Sequence, residues 1–575
     1  MPHDDSQTPT VAQILAAALA RHGIDTVFGQ SLPSALLLAT PAHGIRQVEY
    51  RTENAGGAMA DGYARATRRI GVVCAQNGPA ATLLVPPLAE ASRVSVPVLA
   101  LVQDVPIANR GRNAFQEFDH FALFSSCTKA VLRVDEPERA EELLDLALTT
   151  ALTGRPGPVV LLLPVDVLNL AGRRSGRSAS HGRFPLDPVR PAADRVHAAA
   201  ALLAGAQRPL ILAGGGVHLS GATAALARLQ EEAGLPVGTT NMGKGAVDEG
   251  HELSIGMVGN YMGERGVAQH LRSMVADADV LLLVGTRTNE NGTDSWKVVG
   301  PDTQVIHLDA DGIEVGRNYE ALRLVGDARL GLEDLAEELV GADLAVRRAA
   351  RAGVAAAIAE ARAAHVEQAR DVTESDGRPL RPERIMVELD RVLTEDTIVV
   401  GDASYATIWI GNYLRARRAG QRFLTPRGLA GLGWGLPLAL GAKAASPSSP
   451  VVCVAGDGGF GHVWAELETA VRENLPLTII ILNNKVLAFQ KHAEIFKYRA
   501  HTTAVNFAPV DHAAIARACG ADGVRVETAE ELAAALAGTA TRTTVTLIDV
   551  VSDGDAYPPI TAWDGAAIVP ELAVW

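Results

Sequence analysis

The forty residues from Val451 to Gln490, VVCVAGDGGFGHVWAELETAVRENLPLTIIILNNKVLAFQ, constrain the fold more than any other stretch. An apolar run (Val451 to Ala455) ends in Gly456-Asp457-Gly458-Gly459. An amphipathic helix is expected over about Val463 to Glu473, and a second apolar run (Leu477 to Leu482) ends in Asn483-Asn484. Two short buried strands joined by a helix make a parallel βαβ unit with its polar residues at the carboxyl ends of the strands, where open α/β sheets bind ligands. Asp457 supplies a carboxylate, Asn484 an amide oxygen, and the turning backbone near Val486 a carbonyl. Three hard oxygen donors suit an octahedral Mg²⁺ that keeps places for water and phosphate oxygens. Gly456, Gly458 and Gly459 let backbone N–H groups approach a diphosphate closely, and the following helix aims its positive end at the same charge.

The same βα alternation runs through all 575 residues, a length that calls for several domains. The expected fold class is α/β: three domains, each a parallel sheet flanked by helices. The boundaries fall at 1–170, a Gly/Ser/Arg/Pro-rich linker at 171–190, a Rossmann-like middle domain at 191–345, a helix and linker at 346–382, and a C-terminal domain at 383–575. The net charge of −14 comes without a basic block, which argues against nucleic-acid and anionic-membrane partners. Cys74, Cys127, Cys453 and Cys519 lie far apart without C-x-x-C spacing, as reduced residues of a cytoplasmic protein do. The first ten residues are polar and acidic, unlike a secretory signal, and no apolar run is long enough to span a bilayer.

The G-D-G, 24-residue, N-N spacing is the thiamine diphosphate signature, and the chain resembles the acetohydroxyacid synthase, oxalyl-CoA decarboxylase and benzaldehyde lyase group over nearly its whole length. Further matches carry the resemblance: YRTENAGGAMADGYARAT (Tyr50 to Thr67), Gln76-Asn77-Gly78-Pro79, NAFQEFD (Asn113 to Asp119), SSCTK (Ser125 to Lys129), Gly401-Asp402-Ala403-Ser404-Tyr405 and the glycine-rich RGLAGLGWGLPLALGAKAA (Arg427 to Ala445). Read alone, Glu53 is most simply a carboxylate satisfying a helix dipole. The resemblance implies more: Glu53 hydrogen-bonds N1′ of the thiamine pyrimidine and favours the imino tautomer, whose 4′ nitrogen takes the C2 proton. By the same resemblance Gly78 and Pro79 flank the pyrimidine, and Asp402, Ala403 and Ser404 meet diphosphate oxygens. The Ala430 carbonyl accepts from the pyrimidine amine, Leu432 wedges between the rings, and Gln116 faces substrate from the partner subunit. A homodimer is then the minimal active unit, a tetramer is common in such folds, and the middle domain holds FAD, ADP or nothing.

The reaction implied is acetolactate-synthase-like: a decarboxylase and carboligase acting on a small 2-oxo acid. Departures from that pattern stand at Leu32-Pro33, Asn291, Ala493 and the loop GMVGNYMG (Gly256 to Gly263). They leave open a second reading, a 2-hydroxyacyl-CoA lyase. There Glu494, in the short helix FQKHAEIFKYR (Phe489 to Arg499), would shuttle a proton if partial burial tuned its carboxyl toward neutrality. The bland reading of that helix is a solvated surface turn. The apolar tail, Thr561 to Trp575, is a candidate lid or subunit contact, and a non-catalytic regulatory member is a minor third reading.

Overall fold

The structure is a computed structural model, and it describes residues 8–564. These hold three six-stranded, all-parallel sheets flanked by helices, the architecture the sequence implies. The first sheet contains β1 (Thr26–Phe28), β2 (Arg46–Val48), β3 (Gly71–Ala75), β4 (Val98–Asp104), β5 (Ala130–Arg133) and β6 (Val159–Pro164), in the order β2-β1-β3-β4-β6-β5. The second contains β7 (Pro209–Ala213), β8 (Val237–Thr239), β9 (Ser254–Met257), β10 (Val280–Val284), β11 (Gln304–Asp309) and β12 (Leu322–Val325), ordered β12-β11-β10-β7-β8-β9. The third contains β13 (Ile398–Gly401), β14 (Phe423–Leu424), β15 (Val451–Gly456), β16 (Thr478–Asn483), β17 (Asp522–Val526) and β18 (Thr546–Val551), ordered β14-β13-β15-β16-β18-β17. Central strands such as Val72–Ala75 and Val280–Val284 are apolar at every position because helices cover both faces.

The described residues gather into two compact units. One runs up to Asp187 and adds Pro426–Ser448 and Val463–Leu475. Its first sheet is joined there by two segments distant in sequence. The helix Gly435–Ala445 lies against the helix Glu53–Thr67 so closely that a Cβ on Gly62 would sit 2.2 Å from the Leu438 carbonyl oxygen, and one on Gly441 only 1.9 Å from that of Met59. Backbone-to-backbone contact explains the run of small residues, and alanine at either glycine would overpack the contact at a cost of about 1–3 kcal/mol or more.

The other unit comprises Pro188–Thr425, Ser449–His462 and the chain from Pro476 onward, with the second and third sheets. Two clusters fill the faces of the second sheet, one around Ile211, Leu282 and Leu332, the other around Leu212, Leu281 and Ile358. A third joins Trp409, Val452, Ile480 and Ile548 to Met257 and Tyr261 of the middle region. Residues 171–190 carry only isolated bridges, at Ala171 and Arg183. The alanine- and arginine-rich segment forms a helix, Ala345–Thr373. The helix after the glycine turn is shorter than expected, Glu466–Arg472, and is preceded by a separate helical turn, Asp457–Phe460, and by turn residues 461–465.

Candidate active site

In the third sheet the chain order reverses between β13 and β15, and the carboxyl ends of strands at such a reversal are where open α/β sheets bind ligands. Asp402 to Ser404 leave β13 there, Gly456 to Gly459 leave β15, and Asn484 to Val486 leave the adjacent β16. The structure thus brings together the residues assigned to metal and diphosphate. Asp402 is buried and its Oδ1 accepts from the Ala403 N–H at 2.9 Å, while Ser404 takes a left-handed backbone (φ 67°) as it enters the helix Tyr405–Tyr413.

Asp457 begins its helical turn directly at the end of β15. Its Oδ1 accepts from the Gly458 N–H (2.9 Å) and its Oδ2 from the Lys485 N–H (2.6 Å), which ties the β15 turn to the β16 turn. Burial pushes its carboxyl up to about 6. Asn484 Oδ1 accepts from the Val486 N–H at 3.2 Å, and Val486 bridges to Asn506. The asparagine pair divides its labour: Asn483 is buried and donates to Asp549 Oδ1 and the Val510 carbonyl, both at 2.9 Å. A Cβ on Gly458 would meet Leu487 Cδ2 at 2.8 Å and Phe507 Cε2 at 2.9 Å, whereas one on Gly456 would meet nothing within 4 Å. Among the described residues no three His, Cys, Asp or Glu side chains gather as for a metal. The carboxylate of Asp457, the amide oxygen of Asn484 and a backbone carbonyl near Val486 are hard oxygen donors of the kind that would suit Mg²⁺.

In the other unit Glu53 is the first residue of its helix, and it is half-buried. Thr52 caps that helix through the Ala55 N–H, and the Glu466 carboxylate accepts from the N–H groups of Arg51 and Thr52 at 3.1 Å. Burial pushes the Glu466 carboxyl above its ordinary range. The turn after β3 is tied to the loop of Gln116. Gln76 Nε2 donates to Gln116 Oε1 (2.6 Å), Asn77 Nδ2 to the Gln116 carbonyl (2.9 Å), and the Gly78 N–H to His120 Nε2 (3.2 Å). Asp104 Oδ1 lies 3.4 Å from His120 Nδ1. Since Nε2 accepts, Nδ1 carries the proton toward the carboxylate. Gly78, Pro79 and Gln116 therefore share one corner. Ala430 sits at φ 60° in a turn whose N–H groups point into the Glu90 carboxylate, and Leu432 follows, half-buried.

Glu494 departs from the expectation placed on it. It lies in the helix Ala488–Tyr498, where its carboxylate accepts from the Thr502 N–H at 2.7 Å and from Gln490 Nε2 at 3.1 Å. These bonds, the Thr502 N–H first, hold it below the usual glutamate value, the reverse of what a neutral-range proton shuttle needs. It pins the helix end instead. Nor is that helix a fully solvated turn. His492 is buried, 2.7 Å from the Tyr405 hydroxyl through Nδ1, stacked on Tyr557 at 3.8 Å, and pushed down to about 4 by burial. Trp563 packs on Phe489, Phe496 and Tyr557. The candidate lid beyond Asp564 lies outside the described residues.

At the middle sheet's reversal, between β7 and β10, a Cβ on Gly214 would sit 2.3 Å from the Gly285 carbonyl oxygen and one on Gly216 2.6 Å from the Gly285 Cα. Those glycines serve close packing between loops. Sequence reasoning missed Glu466, His120 and Glu90. Each is a polar residue in an apolar surrounding whose partner lies elsewhere in the chain, and only the buried acid in an amphipathic helix hinted at a role.

Comparison with known proteins agrees with this geometry. Three family descriptions match in succession: thiamine pyrophosphate enzyme, N-terminal TPP binding domain (residues 9–123), central domain (196–335) and C-terminal TPP binding domain (402–550). A probable acetolactate synthase large subunit of Methanococcus aeolicus is 32% identical across 91% of this chain and 89% of its own length. The acetolactate synthase large subunit of Parasynechococcus marenigrum is 34% identical across 96% and 90%. The acetolactate synthase isozyme 2 large subunit of Escherichia coli K12 is 30% identical across 91% and 92%.

Proposed function

Because this chain belongs to the thiamine diphosphate enzymes, and among them to the acetolactate synthase-like group, we propose that it binds thiamine diphosphate through Mg²⁺ and joins two small 2-oxo acids with loss of CO₂ from the first. The observation that carries this reading is the reversal point of the third sheet, where an acid, an amide and glycine backbone meet at three adjacent strand ends. When bound, the cofactor supplies a carbon nucleophile that adds to a carbonyl and stabilises the negative charge left by decarboxylation.

The chain's own residues do the rest. Asp457, Asn484 and the Val486 carbonyl hold the metal, with Gly456, Gly458, Gly459, Asp402, Ala403 and Ser404 around the diphosphate. Glu53 would hold a proton at N1′ of the pyrimidine, the Ala430 carbonyl would accept from the ring amine, and Leu432 would stand as the wedge between the rings. Gln116, anchored by Gln76, faces the substrate. A second copy of the chain supplies Glu53 to each cofactor, so the working unit is at least a dimer. No described helix is long and apolar enough to cross a membrane.

The test is a substrate panel on the purified protein with thiamine diphosphate and Mg²⁺, following pyruvate loss and acetolactate, with 2-hydroxyacyl-CoA cleavage in parallel. Acetolactate from pyruvate supports the proposal. Release of formyl-CoA without turnover of any 2-oxo acid overturns it.

A further inference from the structure

A buried chain of charge runs from the Glu53 helix to the turn that carries Ala430, and none of its members belongs to the cofactor's expected contacts. On the helix Glu53–Thr67, Arg65 donates to both oxygens of Asp61, at 2.6 and 2.7 Å. The Arg65 guanidinium also lies 3.9 Å from Glu90 on the helix Val85–Val94. Asp61 and Glu90 are fully buried and Arg65 nearly so. Glu90 then spends both oxygens on one turn: Oε1 accepts from the Gly428 N–H at 2.6 Å, and Oε2 from the Leu429 and Ala430 N–H groups at 2.5 and 3.3 Å.

Three successive N–H groups facing one carboxylate make an anion nest whose anion is built into the protein. The approach is tight. A Cβ at Gly428 would meet Arg93 Cβ and the Glu90 carbonyl oxygen, each at 2.8 Å, so only glycine lets the turn descend onto the carboxylate. The nest sets the peptide planes through Ala430, which is held at φ 60°, and hence the aim of its carbonyl and the start of Leu432.

We propose that Glu90, oriented by the Asp61–Arg65 pair, is a positioning residue for the cofactor's pyrimidine: it fixes the Ala430 carbonyl and the Leu432 wedge without touching the cofactor. This rests on the reading that Ala430 and Leu432 meet the rings. Charge matters here as well as shape. A glutamine has one acceptor oxygen, and its NH₂ would oppose a turn N–H, so the nest would open while the helix kept its packing.

The experiment is Glu90→Gln and Glu90→Asp in the full-length holoenzyme, with three readouts: hydrogen–deuterium exchange at the cofactor C2, cofactor affinity, and the split between kcat and KM. For Glu90→Gln, C2 exchange and kcat should both fall roughly tenfold or more with KM and cofactor affinity within about threefold, the pattern of a lost transition-state arrangement. Glu90→Asp keeps the charge beside Arg65 and so keeps the fold, and should lose less than Glu90→Gln. A folded variant of either kind with wild-type C2 exchange overturns the proposal. Glu53→Gln, run beside them, separates the two ideas. If it stops exchange while the Glu90 variants do not, only the positioning role fails; if it leaves exchange intact, the underlying reading of the pyrimidine side fails.

Discussion

The surroundings of Glu53 and Ala430, proposed above as the pyrimidine side, and those of Asp457, proposed as the diphosphate side, are built differently. Around Glu53 and Ala430, buried acids bond inward: Glu466 takes the N–H groups that precede Glu53, and Glu90 takes those of the Ala430 turn. Their hydrogen bonds are complete within the chain. Around Asp457 the backbone N–H groups of Gly458 and Lys485 face a buried carboxylate whose value rises to about 6, while the Cβ side of Gly456 is open. The first arrangement is a preformed frame that holds geometry, and the second is a donor set fit for a divalent cation and its anion. A cofactor that must be both gripped and aimed needs one of each.

The sharpest break of this contrast is Asp457→Ala. Thiamine diphosphate with Mg²⁺ at about a hundred times its Kd should stabilise the wild type by about 2.7 kcal/mol. The variant should show no cofactor-dependent rise in Tm and no turnover. An undiminished shift would refute the metal site. Glu53→Gln belongs to the opposite class, with turnover falling by about 10²–10⁴-fold and the cofactor-dependent Tm shift retained. Mixing the two inactive proteins sharpens the comparison further. If each cofactor is shared between two copies, heterodimers carry one intact site, and a random mixture should regain about a quarter of wild-type activity. A mixture that stays silent despite subunit exchange argues that each chain completes its own site.

The sequence made the diphosphate side legible because that side is local. Asp457, the glycines and Asn484 lie within one βαβ unit, and strand ends followed by turns are readable from apolar runs and breakers alone. The three sheets were legible for the same reason. The frame of the pyrimidine side was not. Glu90 bonds residues 338 to 340 positions away, and Glu466 residues more than 400 positions away, so neither leaves a periodic trace. Small residues at Gly62 and Gly441 signalled a close approach, but the partner backbone was invisible until the fold joined them. Glu494 failed for another reason: its sequence neighbours suggested a burial-raised carboxyl, whereas Thr502, eight residues on, supplies an N–H that lowers it.

A smaller effect tests how the diphosphate side is braced from behind. His492 is neutral in the folded protein because burial, with Lys491 nearby, outweighs Asp555 and a backbone hydrogen bond at Gly554 and lowers it from 6.5 to about 4. A histidine whose folded value is depressed binds its proton preferentially in the unfolded chain, so its contribution to stability is level above about pH 6.5 and declines as pH falls toward 4. Between pH 7 and pH 4.5 the loss from this one group should be about 2–3 kcal/mol. His492→Phe keeps the stack on Tyr557 but removes the Nδ1 partner of the buried Tyr405 hydroxyl, costing about 1–3 kcal/mol at neutral pH. The two stability curves should therefore converge on acidification, and parallel curves would refute the assignment. Least of all should change in Glu494→Gln. The amide still accepts from the Thr502 N–H through its oxygen, and turnover should stay within about twofold of wild type because no proton passes through this group. A large loss of kcat with an intact helix would return Glu494 to the chemistry and make the lyase panel the next experiment.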